Sequence, residues 1–435
     1  MKSYVIVGGV AGGMSAATRL RRLDHEAQIT VIEKSGFVSY ANCGLPYYIG
    51  GVIQREQDLL LQTPDSLNKR FNLDVRVNSE VIEIDSAKKS VKLKNLSNGE
   101  YFNLNYDKLI LSPGAIPIVP EIDGIARAMT LRTVEDTKKI FNAVAAKPKS
   151  AVVIGGGFIG VEMAENLVNR GIKTSLIEAS DQVLAPLDPE MALLVANEMT
   201  KNGVELHLGT SAVSVGEESI TLANGLILPA ELIILAIGVR PDTSLAKTAG
   251  LKIGTRGGIK VDENNLTSDR NIYALGDAAE KKDELDESAT LVPLANIANR
   301  HGRVIADHIN GRTTRNVNTI GTAIVKVFEL AVAVTGWNEK RLKAAGIIHQ
   351  AIHTHPSSHA GYYPGAETLS LKLLINPENG EIFGAQGVGK DGIDKRIDVI
   401  ATAIRGGIPA QGLADLELAY APPFGSAKDP VNMLG

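Results

Sequence analysis

The sequence is poor in cysteine, in aromatic residues and in net charge. It has one cysteine among 435 residues, 4% aromatic residues, and 45 basic against 49 acidic residues. One cysteine cannot form an intrachain disulfide, which excludes a disulfide-stabilised scaffold and favours the reducing cytoplasm. A net charge of -4 gives no bulk attraction to nucleic acids or to membrane surfaces, so neither is expected as a partner.

A long apolar run is also missing. No stretch approaches the roughly 18 residues that a membrane-spanning helix needs. The initial residues, MKSYVIVGG, are predicted to enter a strand rather than a signal peptide. Glycine, in contrast, is abundant at 43 residues, and hydrophobic residues reach 44%. At roughly 150 residues per domain, we expect two to four domains with large buried cores.

Two segments repeat the same order of strand, glycine turn, helix and strand. In the first, apolar residues 3–8 lead into a helical pattern at 14–23 and a second apolar strand at 28–33. In the second, a strand from Ser150 leads into a helix predicted over Phe158–Asn169. This order is typical of the βαβ units that bind dinucleotides.

Glycines mark both turns. The second turn has the full G-x-G-x-x-G spacing, and the first has Val10 at the middle position with one glycine added. The glycines concerned are Gly8, Gly12, Gly13, Gly155, Gly157 and Gly160. Such turns bring backbone N–H groups to a pyrophosphate at a helix N-terminus. Glu33 and Glu178 end the next strands, where a carboxylate can bind ribose hydroxyls; the alternative is that the glycines only permit close helix–strand packing.

The rest of the chain adds strands and a different C-terminal part. Residues 90–105 alternate like exposed strands, and residues 106–114 form a predicted buried strand. From about Thr322, further strands and a helix near residues 393–405 indicate α+β structure. The predicted fold class is therefore α/β, with two Rossmann-type dinucleotide-binding domains and a C-terminal α+β domain.

The combination of motifs resembles the FAD- and NAD(P)H-dependent pyridine nucleotide-disulfide oxidoreductases. The motifs, in chain order, are VIVGGVAGG, LSPGA, VIGGGFIGVE, AIGVRP and TSDRNIYALGD. The resemblance implies a discontinuous FAD-binding domain of residues 1–115 and 240–321, an NAD(P)H-binding domain of residues 116–239, and a dimerisation domain of residues 322–435. It also implies a homodimer.

Four further motifs resemble, within this family, the coenzyme A-disulfide reductases and their polysulfide- or persulfide-reducing relatives. They are SYANCGLPYYIGG, YYPGAE, VGKDGIDKRIDV and AYAPPFGSAKD. The resemblance implies reduction of coenzyme A disulfide, coenzyme A persulfide or polysulfide. Several such relatives carry a C-terminal rhodanese domain, and the lack of one in this sequence favours the plain coenzyme A-disulfide activity.

The resemblance also assigns cofactor-binding residues. It places Glu33 on the FAD ribose and Asp277 on the flavin side, and NADH near Phe158 and Glu162. A carboxylate at Glu178 would repel the 2′-phosphate of NADPH, so NADH is the expected donor and NADPH the alternative. The other glycines of the matching motifs are Gly114, Gly238 and Gly276. No histidine spacing supports a metal site.

Cys43 is the candidate redox centre. A lone cysteine is more often a small buried hydrophobe, but polar residues precede Cys43 and Pro46 follows it, as at a helix N-terminus, which favours a thiolate. Tyr48 and Val38 stand where a C-x4-C partner would be, so a paired-thiol mechanism is excluded. The sulfur must then cycle through a mixed disulfide with a small thiol or through a sulfenic acid.

These two oxidised forms correspond to two functions. A sulfenic acid belongs to NADH oxidases and NADH peroxidases, which typically carry a histidine in the first glycine loop, where this chain has Ala11. The mixed disulfide belongs to coenzyme A-disulfide reduction. A third hypothesis, from another class, is a flavin-loaded redox sensor without substantial turnover.

The mixed disulfide requires a site for coenzyme A, which is polyanionic. Ser15, Arg19 and Arg22 share one face of the first helix, although a solvated helix face is the alternative for such arginines. With the residues that the resemblance adds, the candidate substrate-binding residues are Ser15, Arg19, Arg22, Ser39, Asn42 and Lys428. A basic residue of some relatives is Phe71 here, beside Arg70, so that contact is left unassigned.

The departing thiol needs a proton. By resemblance, Tyr362 and Tyr420 of the partner subunit reach Cys43 and supply it, with Tyr363 as a competitor for the first role; the alternative is that these tyrosines are packing corners. The expected cycle is hydride transfer from NADH to FAD, two-electron reduction of a Cys43–S–S–CoA bond, and attack of the Cys43 thiolate on a new disulfide.

Overall fold

The computed structural model describes residues 1–314 and 318–435. The strands are β1 (Ser3–Val7), β2 (Gln28–Ile32), β3 (Asp74–Arg76), β4 (Ser79–Asp85), β5 (Ser90–Asn95), β6 (Tyr101–Asn105), β7 (Lys108–Leu111), β8 (Ala115–Pro117), β9 (Met129–Thr130), β10 (Ser150–Ile154), β11 (Lys173–Glu178), β12 (Val204–Leu208), β13 (Ala212–Val215), β14 (Ser219–Leu222), β15 (Ile227–Pro229), β16 (Leu232–Leu235), β17 (Val239–Pro241), β18 (Ile272–Ala274), β19 (Lys281–Lys282), β20 (Ala289–Thr290), β21 (Ala323–Val327), β22 (Leu330–Gly336), β23 (Gln350–Thr354), β24 (Ser370–Ile375) and β25 (Ile382–Gly389).

The α-helices are α1 (Ala11–Leu23), α2 (Leu45–Gly50), α3 (Pro64–Phe71), α4 (Val134–Ala145), α5 (Phe158–Asn169), α6 (Pro189–Lys201), α7 (Ser244–Thr248), α8 (Ala295–Ile309), α9 (Glu339–Ala344), α10 (Ile393–Gly406) and α11 (Pro430–Leu434). Short 3₁₀ helices cover Asn42–Gly44, Glu56–Leu59, Ile125–Arg127, Gly276–Ala278 and Ala410–Asp415. Within the described ranges, no helix is both long enough and apolar enough to cross a bilayer.

The first sheet has five parallel strands in the order β18-β7-β1-β2-β3. Its inner strands are continuous apolar runs because helices cover them. Ile6 of β1, Leu20 of α1 and Ile305 of α8 lie in one buried cluster. Strand β18 joins this sheet although it follows the whole second unit in sequence, so the chain returns to the first sheet.

Helix α1 begins at Ala11, earlier than the predicted start at Met14, because two glycines form its first turn. A Cβ atom on Gly12 would lie 2.1 Å from Cδ1 of Leu275, and one on Gly13 would lie 1.9 Å from the carbonyl oxygen of Gly8. These glycines let the helix approach the sheet closely, which outweighs their low helix propensity.

The second sheet repeats the design with parallel strands in the order β12-β11-β10-β16-β9. Strand β10 leads through the second glycine turn into α5, which has the predicted bounds, and then into β11. Two small antiparallel sheets, β4-β5-β6 and β13-β14-β15, accompany the two large ones. The predicted pair of dinucleotide-type units is confirmed.

The C-terminal part is an antiparallel sheet in the order β21-β22-β25-β24-β23. Helices α10 and α11 cover it, with Leu371, Ile397 and Val431 in one buried cluster. Val325 and Val332 of the same sheet share another cluster with helices of the second unit. The predicted α/β class with a C-terminal α+β unit is confirmed, while the domain boundaries at residues 115, 239 and 321 stay predictions.

Candidate functional site

A cleft of about 1310 Å³ opens at the carboxyl ends of β1, β2 and β7. Gly8, Glu33 and Ser112, which directly follow these strands, line it. Open parallel sheets bind ligands at this edge because strand ends and helix N-termini meet there. The same cleft extends to Cys43 and to Arg22 of α1, so the cofactor and substrate candidates share one space.

The two glycine turns have the same backbone construction. Gly8 and Gly155 have φ values of 98° and 110°. A Cβ atom would lie 2.0 Å from the Ser112 carbonyl oxygen at Gly8, and 2.4 Å from that of Ala236 at Gly155. Only glycine meets both requirements. Gly157 has open space where a Cβ atom would point, which leaves room for a ligand at the start of α5.

Glu33 and Glu178 make matching hydrogen bonds. Oε2 of Glu33 accepts from the backbone N–H of Gly9 at 2.7 Å, and Oε2 of Glu178 accepts from that of Gly156 at 2.7 Å. In each case Oε1 accepts from the N–H two residues further on, at 2.9 and 2.8 Å. Burial raises the pKa of Glu33. Both carboxylates are therefore fixed beside their glycine turns, where ribose hydroxyls are expected.

The remaining predicted cofactor residues divide between the two units. Those that line the cleft beside Gly8 and Glu33 are Gly12, Gly114, Gly276 and Asp277. Gly13 packs behind the turn against Gly8. Gly155, Gly157, Gly160, Glu162, Glu178 and Gly238 lie in the second unit, around the start of α5 and the carboxyl ends of its strands.

The cleft contains polar groups that suit FAD. Oε2 of Glu135 is buried without a hydrogen-bond partner in the described chain, while Oε1 accepts from Ser35 Oγ and from the N–H of Gly36. A buried carboxylate oxygen of this kind fits a hydroxyl or amino donor of a ligand. Arg132, also in the cleft, pairs with Asp277 at 2.8 Å. The residues present therefore fit a dinucleotide, although neither Glu135 nor Arg132 was predicted.

Cys43 lies in the 3₁₀ turn directly before α2, its side chain exposed into the cleft. The helix start predicted here is present, whereas the pKa of the thiol shifts in the direction opposite to the predicted thiolate. Loss of hydration raises the pKa of the Cys43 thiol, and the charges of Glu162 and Asp277 raise it further, with Arg132 opposing them. Helix α2, whose N-terminal end was expected to favour the thiolate, has only six residues.

Glu162 links the two units beside Cys43. The hydroxyl of Tyr47 in α2 donates to Oε1 of Glu162 in α5 at 3.1 Å. Burial raises the pKa of Glu162 to about 7, and burial together with Glu162 raises that of Tyr47. The helix that begins at the second glycine turn thus contacts the helix that follows Cys43. The family motif predicted Glu162; Tyr47 lies in the motif SYANCGLPYYIGG, but no role was predicted for it.

Most of the predicted substrate residues line the same cleft as Cys43. Those that line the cleft are Ser15, Arg22, Ser39 and Asn42. Arg19 is an exception, because its Nε and Nη2 atoms donate to Oδ1 of Asp307 at 2.9 and 2.6 Å, and that ion pair satisfies its charge. Lys428 is exposed on the C-terminal unit and does not line the cleft of its own chain, as far as the structure describes it.

Two further polar residues line the cleft, and no role was predicted for either of them. Oδ1 of Asn299, on α8, accepts from Ser15 Oγ at 2.8 Å. Arg70 also lines the cleft, with its guanidinium 5.0 Å from the ring centre of Phe71; that of Arg22 lies 5.8 Å from the same ring. Position beside Phe71 was the only signal for Arg70. Asn299 had none, because it is far from Ser15 in sequence.

Tyr362 and Tyr420 meet on the surface of the C-terminal unit. Their hydroxyl oxygens are 3.0 Å apart, and the residues are 76% and 48% exposed. Neither lines the cleft of its own chain, within the described residues. The competing Tyr363 instead packs edge-on against His359, with ring centres 5.6 Å apart. The structure therefore joins the two predicted proton donors, while their approach to a partner's Cys43 stays a prediction.

Two family models match the chain. One, described as pyridine nucleotide-disulphide oxidoreductase, matches residues 2–302, and the other, described as the dimerisation domain of these proteins, matches residues 322–430. Together they cover all three sheets that contain the elements of the site.

Individual proteins are similar over the full chain. Coenzyme A disulfide reductase of Staphylococcus haemolyticus is 35% identical over 439 residues, which cover 100% of this chain and 99% of that protein. The crystal structure of reduced Bacillus anthracis CoADR-RHD is 52% identical with a TM-score of 0.98, covering 100% of this chain and 79% of that one. A NAD-dependent persulfide reductase from A. fulgidus is 39% identical with a TM-score of 0.97, covering 99% and 82%.

Proposed function

The chain belongs to the pyridine nucleotide-disulphide oxidoreductase family, and on that premise we propose that it uses NADH and FAD to reduce coenzyme A disulfide or a related persulfide or polysulfide. Its similarity to a coenzyme A disulfide reductase and to a persulfide reductase supports this substrate class. The resemblance derived from its motifs is confirmed by the same relatives.

One observation carries the proposal: the single cysteine shares a cleft with groups that suit a phosphorylated thiol. Cys43, Arg22 and Arg70 all line this cleft. Guanidinium groups bind phosphates through paired, charge-assisted hydrogen bonds. Ser39 and Asn42, close to Cys43 in sequence and in the cleft, offer hydroxyl and amide groups to the uncharged part of the substrate.

The residues that would hold the cofactors follow from the two glycine turns. Glu33, Glu135 and Asp277 would hold FAD, and Glu162 and Glu178 lie in the unit that would bind NADH. FAD, when bound, passes two electrons from NADH to a disulfide. Because Glu178 places a fixed carboxylate beside the second turn, it disfavours the 2′-phosphate of NADPH.

Cys43 performs the covalent chemistry. Its thiolate Sγ attacks one sulfur of coenzyme A disulfide, forming a Cys43–S–S–CoA bond as the original S–S bond breaks. The first coenzyme A thiolate leaves and takes a proton. Two electrons, derived from NADH, then break the mixed disulfide, which regenerates the Cys43 thiolate and releases the second coenzyme A thiolate. Because the pKa of Cys43 is raised, any Cys43 that is protonated between turnovers must first release its proton to solvent before Sγ attacks.

We further propose a homodimer in which Tyr362 and Tyr420 protonate the leaving thiol in the partner's cleft. The match to a dimerisation domain and the exposure of the two joined hydroxyls support this arrangement. A lone free thiol and a nicotinamide donor both suit a reducing compartment, so we propose the cytoplasm as the location.

The test compares acceptors for the FAD-loaded protein. We expect NADH oxidation with coenzyme A disulfide, lost in Cys43→Ser while NADH still reduces the bound FAD. The intact mass should show a coenzyme A adduct that a reductant removes. An oxygen-sized mass increment with turnover only on peroxide or oxygen would replace the proposal with an NADH peroxidase or oxidase. FAD that NADH reduces but none of these acceptors reoxidises would indicate a redox sensor.

A further inference from the structure

Arg396 is buried in the C-terminal unit behind the two exposed tyrosines. It lies on α10 and is 1% exposed. Its Nη2 atom donates to the carbonyl oxygen of Ser358 at 2.8 Å and lies 3.2 Å from Oδ2 of Asp429, and Nη1 donates to the carbonyl oxygen of Gly392 at 3.0 Å. One side chain therefore bridges two chain segments that are distant in sequence.

These two segments carry the tyrosines. Ser358 begins the turn that leads to Tyr362, and Asp429 ends the segment that contains Tyr420. Neither segment has regular helix or strand around its tyrosine, within the described residues. The N–H of Ala360 donates to the carbonyl oxygen of Gly425 at 3.0 Å, a second link between them.

The planar fork of arginine is suited to this bridge. Nη2 reaches a carbonyl oxygen on one segment and a carboxylate on the other while Nη1 binds the carbonyl oxygen of Gly392, and the single nitrogen of a lysine cannot occupy both positions. Asp429 is itself fixed, since its Oδ1 caps α11 by accepting from the N–H of Val431 at 3.0 Å. Tyr362 and Tyr420, in contrast, are exposed, so their 3.0 Å contact depends on how the two segments are held.

We infer that Arg396 is a positioning residue that sets the geometry of the Tyr362–Tyr420 pair, and through it the protonation of the leaving thiol. The inference rests on the proposed function, because the role of the two tyrosines as proton donors is itself proposed. Arg396 is assigned no contact with substrate. A small displacement of a proton donor is enough to slow the transfer strongly.

The test separates the two half-reactions in the FAD-loaded dimer. We expect Arg396→Lys, which keeps the charge but loses the fork, to lower kcat with coenzyme A disulfide about tenfold. The rate at which NADH reduces the bound FAD should not change. Lys395→Met is the matched control: Lys395 neighbours Arg396 and lies 3.6 Å from the same carboxylate, but it is partly exposed, and its removal should leave both rates unchanged.

A double-mutant cycle distinguishes positioning from general stability. In a Tyr362→Phe/Tyr420→Phe background, Arg396→Lys should cause no further loss of kcat, and the cofactor-reduction rate and melting temperature report any general effect. An equal loss with and without the tyrosines, or wild-type kcat in Arg396→Lys, overturns the inference. If Tyr362→Phe/Tyr420→Phe turns over at the wild-type rate, the inference also fails. Loss of turnover in Cys43→Ser would in that case still support the proposed Cys43 chemistry. Arg396→Gln serves if Arg396→Lys does not fold.

Discussion

The hydroxyl of Tyr47 donates a hydrogen bond of 3.1 Å to Oε1 of Glu162, and this bond joins the segment of Cys43 to the helix of the second glycine turn. Glu162 also raises the pKa of the Cys43 thiol, through its charge. The proton affinity of the reactive sulfur therefore depends on a residue that belongs to the other nucleotide-binding unit. Two of the following predictions test this electrostatic link.

Replacement of Glu162 by glutamine should change how stability depends on pH. The pKa of Glu162 is raised from 4.5 to about 7 in the folded protein, so between these values the folded state binds more protons than the unfolded state. Wild-type stability therefore decreases as the pH rises through this window. Glu162→Gln lacks this loss and should gain about 3 kcal/mol relative to wild type between pH 4 and pH 8, measured by urea unfolding.

A second variant checks that this pH dependence comes from the Glu162 carboxyl group. Tyr47→Phe removes the hydrogen bond that stabilises the charged carboxylate, so the pKa of Glu162 should rise further and the pH window should shift upward. Parallel stability profiles for wild type and Glu162→Gln would show that this carboxyl group does not titrate abnormally.

The reactivity of Cys43 should respond to the same substitution. Removing the charge of Glu162 should lower the pKa of the thiol, since that charge disfavours the thiolate. The measurement is the rate of iodoacetamide alkylation of Cys43 as a function of pH, with the midpoint expected at lower pH in Glu162→Gln. An unchanged midpoint would place Glu162 too far from Sγ to matter.

The local parts of this structure could be predicted from the sequence, and the long-range parts could not. The bounds of α5 and the glycines of both turns follow from short spacings that report on strand, turn and helix within one unit. Burial raises the pKa of Cys43, and Glu162 and Asp277, which are distant in sequence, raise it further. The helix N-terminus alone predicted the opposite direction, because the pattern contained no information about which carboxylates fold against it.

Arg19 is a second case in which local spacing did not predict a long-range contact, and its role in substrate binding can be tested. From its helical spacing it was expected beside Arg22 as a substrate contact, but Asp307 binds it across 288 positions of sequence. We therefore expect Arg22→Met to raise KM for coenzyme A disulfide about tenfold, as loss of a phosphate-binding guanidinium. Arg19→Met should change KM much less. Equal increases in KM would show that Arg19 leaves Asp307 to bind substrate.

Glu178 should determine the choice of nicotinamide donor. Glu178→Gln keeps an acceptor for the N–H of Gly156 but removes the negative charge that opposes a 2′-phosphate. The ratio of kcat/KM for NADH to that for NADPH should fall about tenfold. Glu33→Gln, at the matching position of the first unit, is the control and should alter FAD affinity without altering this ratio. A ratio unaffected by Glu178→Gln would remove this carboxylate as the selectivity determinant.

Lys372 should be among the most sensitive positions for stability, because its buried ammonium joins the second unit to the C-terminal unit. It is 1% exposed and lies 2.8 Å from Asp188 and 3.1 Å from Glu339, with Glu190 also in contact. Removing one partner of a buried ion pair leaves charge without compensation, so Lys372→Met should lower the free energy of unfolding by about 3–5 kcal/mol. Urea unfolding at neutral pH measures this change.

A comparison with an exposed pair makes this last prediction specific. Lys69 and Asp65 are 2.7 Å apart, but both are 73% exposed, so Lys69→Met should leave the unfolding midpoint almost unchanged.

Acid should weaken the buried cluster as well, because the Lys343 and Lys372 ammonium groups hold the pKa of Glu339 at about 2. The folded state thus binds fewer protons than the unfolded state between about pH 2 and 4.5, and this part of the stability is lost as the pH falls through that window. Lys372→Met should show a smaller acid-dependent loss, since Glu339 then keeps only Lys343; an unchanged loss would mean that Lys372 contributes little to this interface.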